Sequence, residues 1–193
     1  MKTFKQIIVI IVISVLTGLA ANAINPNGVQ LILDKNKYAL DTANQKKTIE
    51  GFLNDPYDTS SKKTNKNMLG SDGKQNKQGF VEPENITMEL AKNLFDRNAL
   101  FIDARSKEEY DSLHIKGAIN LPYDEFRNKS YYDKIEIMKK YNKDGIIVIY
   151  CKGDKCEVSI DLSYEIAKLG FNSVNIYRGG IKEWKEKGFP TQP

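Results

Sequence analysis

Cysteine and histidine are scarce in this chain. Its 193 residues include two cysteines, Cys151 and Cys156, and one histidine, His114. A scaffold held together by disulfides needs more cysteines at wider spacings, and a structural zinc site takes four cysteine or histidine ligands. We therefore expect no bound metal and no cofactor. The two cysteines indicate either local chemistry or ordinary buried packing.

The chain also lacks a strong excess of either charge. The formal net charge is +4, and Lys2 and Lys5 lie in the first 23 positions, which hold no acidic residue. The remaining 27 basic and 25 acidic residues leave a net charge of +2. Nucleic-acid-binding domains usually carry a pronounced basic surplus, so we predict no nucleic-acid partner.

Charged side chains are absent from residues 7–24, which follow the two lysines and are mostly apolar. Residues 21–23, Ala-Asn-Ala, fit a signal-peptidase site, and this pattern predicts a cleaved signal peptide over residues 1–23. The alternative is an uncleaved anchor that attaches the protein to a membrane through residues 7–24. Both place the rest of the chain in the periplasm or cell envelope, because a positive N-terminus stays inside.

Apolar periodicity is missing from most of residues 24–81. Residues 60–78 are Lys, Asn, Ser, Gly and Gln almost throughout. Such a segment buries too little surface to offset the entropy lost on ordering. We predict a mostly flexible linker, in which only residues 29–33 resemble a short strand.

Helix and strand signals alternate over residues 82–193. Strands are predicted near residues 99–102, 118–121, 146–150 and 174–177, with helices between and after them. Thr87 and Ser106 are predicted helix N-caps. The unbroken β-branched run at 146–149 is typical of a strand buried on both faces. We therefore predict an α/β domain with a central, mainly parallel sheet flanked by helices.

Cys151 directly follows the predicted central strand, at the sheet edge where α/β proteins bind ligands. The loop that follows it leads into a helix, whose N-terminus offers free N–H groups and a positive dipole end. This position lowers a thiol pKa and favours a nucleophilic thiolate. The predicted substrate-binding loop consists of Lys152, Gly153, Asp154, Lys155 and Cys156.

Tyrosine phosphatases share a strand, cysteine, loop and helix, but they require Cys-x5-Arg to bind phosphate. The residue at that position is Glu157. A phosphatase is therefore disfavoured.

Several motifs in order resemble the rhodanese-like domain family: FIDAR at 101–105, HIKGAINLP at 114–122, VIYC at 148–151 and YRGGIKEW at 177–184. The resemblance covers residues 82–193. It implies the rhodanese fold and transfer of sulfane sulfur through a persulfide on Cys151. Asp103 and Arg105 align with a pair that supports the active loop, and the aligned histidine, His114, is mainly structural.

The loop lacks the arginines most common in the family and is similar to a subgroup with Cys-x4-Cys. The resemblance implies a small sulfur donor, which is thiosulfate, a polysulfide or a persulfide, and a thiol or protein acceptor. Two alternatives stay open: a thiol–disulfide redox protein that uses Cys151 and Cys156, and an inactive rhodanese domain that serves as a binding module.

Three contacts are also predicted from the spacing. We expect Cys151 and Cys156 to rest as a reduced pair, in which Cys156 comes close enough to attack a persulfide on Cys151 only after the loop shifts. We expect Arg105 to form an ion pair with Glu109. We expect the carboxylate of Asp103 to accept N–H bonds from the active loop.

Overall fold

The computed structural model describes residues 2–24, 75–153 and 156–193 of the chain. The short strand predicted at 29–33 lies outside these residues. The described elements in chain order are α1 (Lys2–Ile24), β1 (Glu84–Ile86), α2 (Met88–Asp96), β2 (Leu100–Asp103), α3 (Lys107–Ser112), β3 (His114–Ile115), β4 (Ile119–Asn120), α4 (Tyr123–Arg127), α5 (Tyr131–Met138), β5 (Ile147–Tyr150), α6 (Val158–Lys168), β6 (Val174–Tyr177), α7 (Gly180–Glu186) and β7 (Thr191–Gln192).

Helix α1 is apolar enough to be either a signal sequence or a membrane anchor. Its segment Phe4–Asn22 has a mean hydropathy of 2.2 and is long enough to cross a membrane. Two hydroxyl groups within it are satisfied locally, since the hydroxyls of Ser14 and Thr17 donate to the carbonyls of Ile10 and Ile13, each at 2.9 Å. Such bonds allow hydroxyl groups to lie within an apolar helix.

A five-stranded sheet in the order β1-β6-β5-β2-β4 forms the centre of the domain that contains residues 75–193. All of its neighbouring strands are parallel, which confirms the predicted α/β class. Strands β3 and β7 form a separate antiparallel pair, with His114 opposite Gln192. Strands β1, β3 and β7 were not predicted from the sequence, because each has only two or three residues and, unlike β4, none of them lies in a predicted apolar run.

Strand β5 is buried on both faces, as its run of β-branched residues predicts. Val148 and Tyr150 belong to the hydrophobic cluster that includes Trp184. Ile147 and Ile149 belong to the opposite cluster, which helix α6 lines with several apolar side chains. Alternate side chains of a strand point to opposite faces, so the strand that precedes Cys151 is the most enclosed part of the sheet.

Side-chain caps begin three of the helices. The hydroxyls of Thr87 and Ser106 accept the N–H groups of Leu90 and Glu109, both at 3.3 Å. Both caps were predicted from the sequence. Ser130 caps α5 in the same way, at 3.2 Å from the nitrogen of Asp133.

The folded domain includes residues that come just before position 82, where the sequence places the start of the domain. Phe80 and Val81 are each only 6% exposed, and the ring of Phe80 meets that of Tyr164 edge-on with centroids 6.2 Å apart. The amide of Asn76 donates to the carbonyl of Phe80 at 2.9 Å. A domain boundary placed at residue 82 would remove both buried side chains.

We therefore expect a fragment of residues 75–193 to fold on its own and a fragment of residues 82–193 to be less stable by about 2–4 kcal/mol. Burying one large apolar side chain contributes about 1.5–3 kcal/mol. Urea denaturation of the two fragments measures the difference. Phe80→Ala in the longer fragment should account for most of it, and equal midpoints for all three proteins would show that Phe80 contributes nothing.

Candidate active site

The topology places Cys151 at the carboxyl end of the central strand. Asp103, Tyr150 and Tyr177 are aligned across β2, β5 and β6, so these three strands end side by side. Cys151 follows Tyr150 and is 0% exposed. A thiol at this sheet edge lies where α/β proteins bind ligands, but its own sulfur is shielded from solvent.

The turn that begins helix α7 holds the loop after Cys151. The amide of Ile181 donates to the carbonyl of Cys151 at 2.9 Å, and the amide of Lys182 donates to the carbonyl of Lys152 at 3.1 Å. The first amides of a helix have no partner within it, so α7 uses two of them to fix the loop backbone.

The close approach of the loop to the start of α7 requires glycine at positions 153 and 180. Gly180 has φ +60, and a Cβ there would lie 2.5 Å from the nitrogen of Gly153 and would overlap the carbonyl oxygen of Cys151. Gly153 has φ +116, and its Cβ would overlap the carbonyl of Gly179. The two backbones touch at positions where any side chain would separate them.

Cys151 and Cys156 form a disulfide, so the expected reduced resting pair is wrong. Their Cα atoms are 6.5 Å apart, within the range that a disulfide spans. The loop turns back on itself, because the amide of Cys156 donates to the carbonyl of Gly153 at 3.2 Å. The carbonyl oxygen of Cys156 then lies 3.5 Å from Sγ of Cys151.

Ser159 is a site residue that the sequence analysis missed. Its hydroxyl donates to Sγ of Cys151 at 3.4 Å, and the residue is 0% exposed. One turn later the hydroxyl of Ser163 donates to the carbonyl of Ser159 at 2.6 Å. The signal that could have found it is a pair of serines four residues apart on the otherwise apolar inward face of the helix.

The hydroxyl of Ser159 and the start of α6 favour negative charge on Cys151. A hydrogen bond donated to a thiolate is stronger than one donated to a thiol. The positive end of the helix dipole acts in the same direction. Once the disulfide is reduced, the site therefore favours the thiolate of Cys151, both as a nucleophile and as a leaving group.

Arg105 pairs with Asp103, not with Glu109 as expected. Its guanidinium and its backbone amide both donate hydrogen bonds to the Asp103 carboxylate, and the closest contact is from Nη2 to Oδ2 at 2.6 Å. Both residues are buried. Burial opposes the charge on Arg105, but the bond to Asp103 outweighs it and raises the pKa of Arg105.

This ion pair joins the end of β2 to the segment that leads into β3. Arg105 also donates to the carbonyl of Leu113 at 2.7 Å, and the hydroxyl of Tyr150 accepts the amide of Ile115 at 3.0 Å. Burial and the nearby charge of Asp103 raise the pKa of Tyr150, which keeps its phenol neutral. The carboxylate of Asp103 accepts bonds from Arg105, rather than the predicted N–H bonds from the active loop.

The other predicted loop residues differ in exposure. Lys152 is exposed and Gly153 is buried, while Asp154 and Lys155 lie outside the described residues. His114 contacts Tyr110 and Gln192: its Nδ1 lies 2.9 Å from the carbonyl of Tyr110, and its Nε2 lies 2.9 Å from Nε2 of Gln192. The contact with Gln192 joins β3 to β7. Within the residues that the structure describes, no group of three or more His, Cys, Asp or Glu side chains is arranged to hold a metal ion.

Comparison with known proteins gives a family and several partial relatives. The model of the rhodanese-like domain family matches residues 87–187. The tRNA uridine(34) hydroxylases of Escherichia coli strains O139:H28 (E24377A) and K12 (DH10B) are each 37% identical over 109 residues, which are 54% of this chain. The chain spans only 30% of the length of those hydroxylases.

Two solved structures also match in part. A Bacillus halodurans protein is 24% identical, with a TM-score of 0.47 over 58% of this chain and 77% of its own. The human single-domain sulfurtransferase is 23% identical, with a TM-score of 0.44 over 53% of this chain and 96% of its own.

Ser159→Ala should raise the pKa of the Cys151 thiol by about one pH unit. A hydrogen bond to a charged group contributes about 1.5–3 kcal/mol, and one pH unit corresponds to about 1.4 kcal/mol. The measurement is the ultraviolet absorbance of the thiolate against pH, in a Cys156→Ser background. Ser163→Ala is the matched control, since it removes an equally buried hydroxyl that bonds a backbone carbonyl. Equal shifts in both variants would contradict a specific role for Ser159.

Gly180→Ala should disrupt the active loop, whereas Gly188→Ala should not. Both glycines have positive φ, +60 and +69, but a Cβ at Gly188 meets nothing within 4 Å. Gly188→Ala should therefore cost only the conformational penalty of about 1–2 kcal/mol. Gly180→Ala should cost more and should also slow the reaction of Cys151 with a thiol reagent. Thermal melting and alkylation rates measure the two effects, and matching values for the two variants would show that the close approach is unimportant.

Proposed function

Because the chain belongs to the rhodanese-like domain family, we propose that it is an exported sulfurtransferase that moves sulfane sulfur through a persulfide on Cys151. One observation carries the proposal. Cys151 directly follows the central strand and begins a loop that α7 holds in place. Its sulfur accepts a hydrogen bond from the buried hydroxyl of Ser159. This arrangement stabilises a thiolate that attacks sulfur and later leaves it.

The reaction has two displacement steps. The thiolate of Cys151 attacks the sulfane sulfur of the donor, a bond forms to that sulfur, and the donor leaves as sulfite or a thiolate. The acceptor, a thiol or a protein cysteine, then attacks the outer sulfur of the persulfide, and Cys151 leaves as a thiolate. The sulfur is transferred without net oxidation, provided that the disulfide with Cys156 is first reduced.

The loop composition bears on the donor. The described cation of the loop is Lys152, whose side chain is exposed, and the loop sequence contains no arginine. Bidentate recognition of an oxyanion is a property of arginine rather than lysine. We therefore favour a thiol-bound persulfide or a polysulfide over thiosulfate as the donor.

Two features support action in the periplasm or cell envelope. The helix α1 is long and apolar enough to cross a membrane or direct export, and Lys2 and Lys5 precede its apolar core. The cysteines are paired as a disulfide, and disulfides persist mainly in oxidising compartments. The helix α1 is either removed at the signal-peptidase-like segment at residues 21–23 or retained as an anchor.

A thiol–disulfide redox protein is the second candidate, and the Cys151–Cys156 disulfide is the observation that favours it. An inactive binding module is less well supported, because the cysteine and its hydrogen-bond donor are both present. Hydroxylation of tRNA uridine, named for the Escherichia coli relatives, is not proposed, since the chain spans only 30% of their length.

The sulfurtransferase proposal predicts that Cys151 gains one sulfur atom. The Cys156→Ser variant leaves Cys151 as the only thiol, so its mass after exposure to polysulfide or thiosulfate identifies the modified residue. We expect a gain of one sulfur, followed by its transfer to cyanide as thiocyanate once the donor is removed. The matched control is the same variant with Cys151→Ser, which should gain nothing. Equal thiocyanate from both proteins would refute the assignment.

A further inference from the structure

We propose that Cys156 discharges the Cys151 persulfide within the loop, so that the protein releases sulfide and consumes a dithiol. The inference rests on the proposed function, because it requires a persulfide on Cys151. Its substrate class is zero-valent sulfur carried by a persulfide or polysulfide, and its second substrate is a dithiol reductant. The protein then acts as a reductase of sulfane sulfur, in addition to transferring it.

The loop geometry brings the second thiol to the first. A hydrogen bond from the backbone amide of Cys156 to the carbonyl of Gly153 folds the loop back. The carbonyl oxygen of Cys156 then lies 3.5 Å from Sγ of Cys151. The two sulfurs are bonded, with Cα atoms 6.5 Å apart. The fold of the loop therefore accommodates the product that such a discharge would leave.

Burial decides which sulfur each nucleophile meets. Cys151 is 0% exposed in the disulfide form. Once the disulfide is reduced and Cys151 carries a persulfide, the outer sulfur lies between Sγ and the solvent, so a molecule from solvent meets the outer sulfur first. Cys156 lies in the same loop and bonds to Sγ itself. Attack from Cys156 is therefore directed at the inner sulfur, and the outer sulfur is the group that leaves.

The step balances without an external oxidant. The thiol of Cys156 loses its proton and attacks Sγ of Cys151, a bond forms between the two cysteine sulfurs, and the bond from Sγ to the outer sulfur breaks. The outer sulfur takes the electron pair and leaves as hydrosulfide, which picks up the proton. The outer sulfur is reduced, and the two cysteines are oxidised to the disulfide.

A dithiol returns the loop to its starting state. Cys156 is partly exposed while Cys151 is buried, so the reductant attacks the sulfur of Cys156. Cys151 leaves as a thiolate that accepts the hydroxyl bond of Ser159. The second thiol of the reductant then releases Cys156, and the reductant departs as a disulfide.

The experiment follows the outer sulfur in a single turnover. Full-length protein in detergent micelles is reduced, freed of reductant, and loaded with glutathione persulfide that carries a radiolabel in its outer sulfur. After rapid removal of the donor, labelled sulfide in solution and the mass of the protein are measured. Wild type should release about one labelled sulfide per loaded chain and finish two hydrogens lighter than the reduced protein.

The Cys156→Ser variant should keep the label and release sulfide at least about a hundredfold more slowly, because it lacks the positioned internal thiol. Label retained by wild type, on either cysteine, would overturn the inference and leave the proposed function standing. If neither wild type nor the Cys156→Ser variant takes up label, the proposed function is refuted instead. The wild-type measurement decides the inference even if the variant folds poorly.

Discussion

The contact between the start of α7 and the loop after β5 is the interaction on which the site depends. Two helix amides bond the carbonyls of Cys151 and Lys152, at a distance that only Gly153 and Gly180 permit. These backbone bonds do not involve the sulfur of Cys151, so they hold the start of the loop whatever charge that sulfur carries. The side chains of the loop stay available for chemistry, and its position is set by the parallel sheet below.

The site combines the buried sulfur of Cys151 with a hydrogen-bond donor, the hydroxyl of Ser159. Cys151 is fully buried, and burial in apolar surroundings disfavours a thiolate. Ser159 and the N-terminus of α6 oppose that effect at short range, since the hydroxyl lies 3.4 Å from the sulfur. The balance suits a group that must be both a nucleophile and a leaving group. It also limits which sulfur of a persulfide an outside thiol can reach.

A polar network at the end of β2 takes the place of the contacts that the sequence predicted for Asp103 and Arg105. Asp103 and Arg105 satisfy each other in a buried pair, and Arg105 extends the network to Leu113. A buried ion pair often adds little net stability, because desolvation offsets its attraction. Its effect here is geometric: it joins the end of β2 to the segment leading into β3, while Tyr150 bonds the amide of Ile115 within that strand.

The sequence by itself determined the local and periodic features: the doubly buried strand before Cys151, the caps at Thr87 and Ser106, and the motifs that identify the family. These depend on residues adjacent along the chain or on one repeating face. Tertiary structure alone decided the partner of Arg105, the approach of Ser159 to Cys151, and the pairing of β3 with β7, whose residues His114 and Gln192 are 78 positions apart. It also decided that Cys156 faces Cys151, because that depends on how the loop folds back against α7 and not on the spacing of the two cysteines.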